Sequence, residues 1–122
     1  MQKTVEVLLE RNVLEVFNGV DAMKRREAIV ELWSENCVFI DPEGIHRGTQ
    51  ELYEAAGKLF AQFPGYRFSV VGSAQALHGV GRLAWTYGPP DDPRRITGED
   101  VGVTENGKIS ALYTFLDPPK DE

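Results

Sequence analysis

The sequence predicts an α+β domain in which three N-terminal helices pack on a strongly curved antiparallel sheet. Two observations carry this expectation. Apolar residues recur every three or four positions as far as Phe63, and beyond Gly65 they alternate with polar ones. Asn106-Gly107, set between two such alternating runs, is the strongest short hairpin signal a sequence offers. Helices followed by an antiparallel meander form an α+β fold with the helices on one face of the sheet. A bent sheet covered on one side leaves a cone-shaped hollow, the kind of space in which small ligands bind.

The first helical stretch runs from Thr4 to Val20, with Val5, Leu8, Leu9, Val13, Val16, Phe17 and Val20 on one face. Asn18-Gly19 is a stop signal. Asp21 is a candidate N-cap for a second helix whose inward residues are Met23, Ile29, Leu32 and Trp33. A short apolar strand, Cys37–Asp41, follows and ends at Pro42, which has no N–H to give to a sheet. His46-Arg47-Gly48 leads into a third helix with Thr49 as its cap and a stripe of Leu52, Tyr53, Ala56, Leu59, Phe60 and Phe63. Pro64-Gly65 ends that helix. Four strands are then expected: Tyr66–Leu77, Val80–Tyr87, Ile96–Thr104 and Lys108–Leu116. The second and third are joined by a loop through Gly88-Pro89-Pro90-Asp91-Asp92-Pro93.

The chain has 122 residues, the size of one domain. We expect residues 1–117 to form it and 118–122 to be a polar tail. Its net charge of −6 and lack of a basic cluster argue against a nucleic-acid surface. A single cysteine, Cys37, rules out an internal disulfide and reads as a small core residue. No stretch has the length and apolarity of a membrane span or the pattern of a signal peptide, so a cytoplasmic location is the default expectation. His46 and His78 have no metal-ligand spacing with acids. Phosphate-cradling, dinucleotide and nucleophile-elbow motifs are lacking as well. No cofactor is expected.

Asp41 ends the apolar strand on a backbone stiffened by Pro42, where a carboxylate is presented beside the interior. The same Asp-Pro pair also starts turns. Trp33, Phe39, Tyr53, Phe60, Trp85 and Tyr113 are candidates for an aromatic pocket lining, and His78, at a strand end, is a further acid–base candidate.

Three N-terminal helices, the Phe39-Ile40-Asp41-Pro42 strand end, His46-Arg47-Gly48 before a helix and a four-stranded meander together resemble the nuclear transport factor 2-like superfamily. Within it the chain is similar to ketosteroid-isomerase-like and polyketide-cyclase-like (SnoaL-like) proteins. The resemblance implies a cone-shaped α+β barrel and two functional positions. Asp41 matches the general base of ketosteroid isomerase. Asp100, in Gly98-Glu99-Asp100-Val101-Gly102 ahead of Asn106-Gly107-Lys108-Ile109, matches the carboxylic acid of its oxyanion hole. That enzyme also uses a tyrosine from its first helix. Here the region holds Asn12, Val13 and Leu14, and no tyrosine precedes Tyr53.

The function implied is a small cofactor-free acid–base enzyme, isomerase- or cyclase-like, acting on a hydrophobic carbonyl-type molecule. A base near carbon and a donor near oxygen are what such proton transfer needs. Two other readings stand beside it. One is a protein that only binds a small apolar ligand or a partner. The other is water-driven epoxide opening, which requires Arg82 beside Asp100 and a second acid positioned on a water. The outer face of the sheet exceeds what three helices can cover, so a homodimer is expected there.

Overall fold

The computed structural model describes residues 2–119. The first helix, α1 (Val5–Arg11), is capped by Thr4, whose hydroxyl accepts from the Val7 amide at 3.2 Å. It continues without a break into a π-helical turn, Asn12–Phe17, closed by a bond from the Asn18 amide to the Val13 carbonyl at 3.0 Å. The expected stripe holds from Val5 to Phe17, but Val20 lies past the end of the helix and is exposed. The Asn18 side chain both donates to and accepts from the backbone of Phe68, at 2.8 Å each way, and so ties the helix end to the sheet.

Helix α2 (Ala22–Leu32) starts as expected, with the Asp21 carboxylate accepting from the Lys24 amide at 3.0 Å. Its inward face is Arg25, Ala28, Ile29 and Leu32. Met23, expected inside, is exposed. Trp33 opens strand β1 (Trp33–Asp41) instead of closing the helix. Strand β2 (Gly44–Arg47) was not foreseen: the chain reverses through Pro42-Glu43 and pairs back on β1 before the third helix. Gly48, at φ +82°, makes the sharp exit from β2 into α3 (Gly48–Gln62) in a left-handed conformation that suits glycine. The cap expected of Thr49 is absent. Instead the Glu51 carboxylate reaches back to the Arg47 amide at 2.7 Å.

Strands β3 (Arg67–Leu77), β4 (Val80–Gly88), β5 (Ile96–Glu105) and β6 (Lys108–Leu116) form the expected antiparallel meander. Asn106 and Gly107, at φ +53° and +75°, make its last turn. The full sheet has six strands in the order β2-β1-β6-β5-β4-β3. Because β1 lies parallel to β6, it is mixed, not wholly antiparallel, and its outer strands β2 and β3 do not pair to close a barrel. Register irregularities in β1, β3 and β5 bend it around the helices.

The core lies in the concavity. Leu8, Leu9, Leu32, Trp33, Leu52, Leu83, Ile109 and Leu112 are essentially sealed from solvent. Phe60, although on the α3 stripe, is only half-buried and stays outside this cluster, with the Arg25 guanidinium 5.0 Å from its ring centre. On the convex face Val71, Val80, Tyr113 and Phe115 remain exposed. No helix among the described residues is long and apolar enough to cross a membrane.

Candidate active site

A cavity of about 260 Å³ opens between the concave face, the π-helical turn and α3. Its acidic side chains follow from sheet register. Asp100 pairs with Thr114 across β5 and β6. Ile40 pairs with Tyr113 across β1 and β6, so Asp41, one residue on, comes level with Thr114. Asp41, Thr114 and Asp100 therefore form one row across three strands, with the two acids about 10 Å apart at their backbones, or two strand spacings. All three line the cavity.

Asp41 acts both as a turn residue and as a cavity residue. Its Oδ1 accepts from the amides of Glu43 and Gly44 at 3.0 and 3.2 Å and lies 3.2 Å from His46 Nε2. The three contacts converge on Oδ1, leaving Oδ2 as the oxygen available to a ligand. The tight Asp41–Gly44 turn explains the His46 contact. It pairs Phe39 with His46, so Phe39, Asp41 and His46 share one face of the hairpin. The imidazole stacks on the Phe39 ring, with centroids 5.3 Å apart and planes 24° apart.

Asp100 is buried, and its Oδ1 accepts from Trp85 Nε1 at 3.0 Å and from the Thr114 hydroxyl at 2.8 Å. Burial pushes its carboxyl up to about 6, although these two donors pull the other way by favouring the charged form. With Oδ1 occupied twice, the proton of the neutral acid belongs on Oδ2. The space beside the flanking glycines is filled by neighbours, which leaves none open around this carboxyl. A Cβ at Gly98 would lie 2.5 Å from the Trp85 indole, and one at Gly102 would lie 2.7 Å from Leu9. Gly98 thus lets the indole lie flat enough to hold Asp100.

Of the residues proposed from sequence, Asp41, Asp100, Phe39 and Trp85 come together at the cavity. The others lie elsewhere. Trp33 is sealed in the core, where its indole N–H donates to Asn12 Oδ1 at 2.9 Å. Asn12 is therefore a fully buried partner of Trp33, and among the described residues its Nδ2 has no partner. Tyr53 sits under the Arg26 guanidinium at 3.9 Å, and Phe60 packs with Arg25, both on the side of α3 turned toward α2. His78, at φ +55° in the β3–β4 turn, is exposed. Tyr113 is one residue out of phase with Thr114 and faces the convex side. Arg82 also points outward, donating to Gln75 Oε1 at 3.0 and 2.7 Å, so the arginine that epoxide opening requires is not beside Asp100.

Sequence reading missed His46, Thr114 and Tyr87, which also line the cavity. Tyr87 and Trp85 sit two residues apart on β4, and that alternation was the available signal. Among the described residues no three His, Cys, Asp or Glu side chains gather as a metal site requires.

A family model for the SnoaL-like domain matches residues 11–112. The structure is similar to that of a candidate isomerase of the SnoaL-like family from Agrobacterium tumefaciens, with 27% identity and a TM-score of 0.85 over 93% of this chain and 97% of that one. A candidate ketosteroid isomerase from Kribbella flavida superposes with a TM-score of 0.73 at 14% identity, over 96% of this chain and 80% of that one. A candidate SnoaL-like polyketide cyclase from Jannaschia sp. gives 0.69 at 13% identity, over 96% and 90%. At such identities the last two speak for the fold alone. No curated protein matches the sequence. With its three helices, its curved six-stranded sheet and a family match spanning the π-turn, the hairpin and most of the meander, the chain belongs to the SnoaL-like domain family.

Proposed function

We propose that the cavity is an acid–base active site that moves a proton next to the carbonyl of a hydrophobic small molecule, as an isomerase or cyclase does. The observation that supports this best is the row Asp41–Thr114–Asp100, which brings two carboxyls in different surroundings to one apolar space. Asp41 is half-buried, and its Oδ2 takes the proton from carbon. The turn amides and His46 fix Oδ1 and keep the carboxylate oriented. Asp100 in its neutral form donates from Oδ2 to the carbonyl oxygen as negative charge develops there. Trp85 and Thr114 hold that carboxyl in place through its other oxygen. The donor form accumulates as pH falls through about 6, so turnover is expected to rise toward mild acid.

The test is exchange of the methyl protons of 2-acetonaphthone in D₂O, followed by NMR. The protein is expected to accelerate exchange by about 10²-fold or more over acetate buffer. Binding of the ketone without exchange would favour the second reading, a protein that only binds small apolar ligands, which the largely apolar lining also suits.

A homodimer through the convex face goes with this reading, since Val71, Val80, Tyr113 and Phe115 are exposed there. Sedimentation at micromolar concentration is expected to give twice the chain mass, and a monomer would count against it.

A further inference from the structure

We infer that Tyr87 is a second recognition point in the same cavity, donating its hydroxyl to an oxygen at the far end of an extended, flat, ring-bearing ligand. The inference rests on the cavity being the ligand site proposed above. Tyr87 lines the cavity and is only 5% exposed, yet among the described residues its hydroxyl has no hydrogen-bond partner. A buried phenol ordinarily finds one. Among the described residues the side-chain atoms both fully enclosed and unpartnered are Asn12 Nδ2 and Arg25 Nε, so the Tyr87 hydroxyl is not fully enclosed. The space that its residue lines is the cavity, and the Tyr66 ring lies 5.2 Å from its own.

Packing holds the phenol in place. Its ring stacks on Phe68 with centroids 4.0 Å apart and planes 23° apart, and Phe63 meets it edge-on at 5.9 Å. Desolvation raises the hydroxyl to about 12, so it remains a donor at any working pH. Position separates its task from that of the acids. Leu83 is the β4 residue level with Asp100, and Tyr87 is four residues further along, about 13 Å of strand. One carbonyl does not reach both ends. Between them Phe68 and Trp85, edge-on at 5.1 Å, wall the cavity with ring surface that suits a planar molecule. The ligand class assigned is a fused-ring or aryl ketone with a second hydrogen-bond acceptor remote from the reacting carbonyl.

The test compares 6-hydroxy-2-acetonaphthone with 2-acetonaphthone by calorimetric titration, in the wild type and in Tyr87→Phe. The wild type is expected to bind the hydroxylated ketone about 3- to 10-fold more tightly, the range of one net hydrogen bond. In Tyr87→Phe that ratio is expected to fall to near one, with the thermal midpoint and circular dichroism showing an intact fold. A ratio that survives the substitution overturns the inference, as does a wild type that binds neither ketone. Methyl-proton exchange on the same two compounds is read separately. Loss of the binding preference without any exchange would leave the Tyr87 subsite standing while the proton-transfer reading falls.

Discussion

Asp41→Asn is expected to fold normally and to lose proton transfer by about 10²- to 10⁴-fold, the usual contribution of a positioned base. An asparagine in the same rotamer still accepts from the Glu43 and Gly44 amides and from His46 through its carbonyl oxygen, so the turn survives. What disappears is the oxygen able to take a proton. The measurement is the rate of methyl-proton exchange on 2-acetonaphthone beside the wild type at one pH. If exchange persists, Asp41 is not the base, and the ring of His46 becomes the next group to replace.

Asp100→Asn is expected to change stability rather than fold, and its effect depends on pH. An unfolded aspartate titrates near 3.8, whereas burial moves Asp100 up to about 6 in the folded protein. Between those values the folded state keeps a proton that the unfolded state has lost. The stabilisation associated with neutral Asp100 is therefore complete below about pH 4 and is lost as pH rises through about 6. A separation of about 2 pKa units corresponds to about 3 kcal/mol. The amide mimics the neutral acid at every pH and has no charge to desolvate. Urea unfolding should find the variant more stable than the wild type at pH 8 by up to about 3 kcal/mol, with the difference shrinking at pH 4. A wild-type and variant gap that does not vary with pH would show that Asp100 carries no perturbed proton.

The parts of this molecule that local chemistry dictates were legible in the sequence. Asp21 caps α2 because a short acid before an apolar-periodic run leaves that helix few other starts. Asn106-Gly107 turns the last hairpin because both positions need positive φ. The missed parts depend on pairing between distant segments. Strand β2 is four residues long, with Ile45 exposed and His46 half-buried, too short a run to announce itself as a strand. Without β2 the chain gives no reason to bring His46 to Asp41. The parallel contact of β1 with β6 joins residues more than seventy positions apart, and only that contact puts Asp41, Thr114 and Asp100 in one row. The aromatic candidates were divided by phase. Trp85 points inward on β4, whereas Tyr113 falls on the convex side of its strand because it sits one residue from Thr114.

The π-turn at Asn12–Phe17 amounts to one surplus residue threaded into an otherwise regular rod. Each helical residue advances the chain by about 100° of rotation. Were the rod to tighten to ordinary α pitch at its present length, everything ahead of the turn would swing by about that angle relative to everything behind it. Leu8 and Leu9, sealed in the core, and Val13 and Phe17, on the cavity wall, would no longer face the sheet together. The wide turn absorbs the surplus residue, so one short rod anchors the fold with its first half and shapes the binding space with its second. Losing one residue there, for instance the exposed Leu14, would restore ordinary α pitch with both halves still in phase.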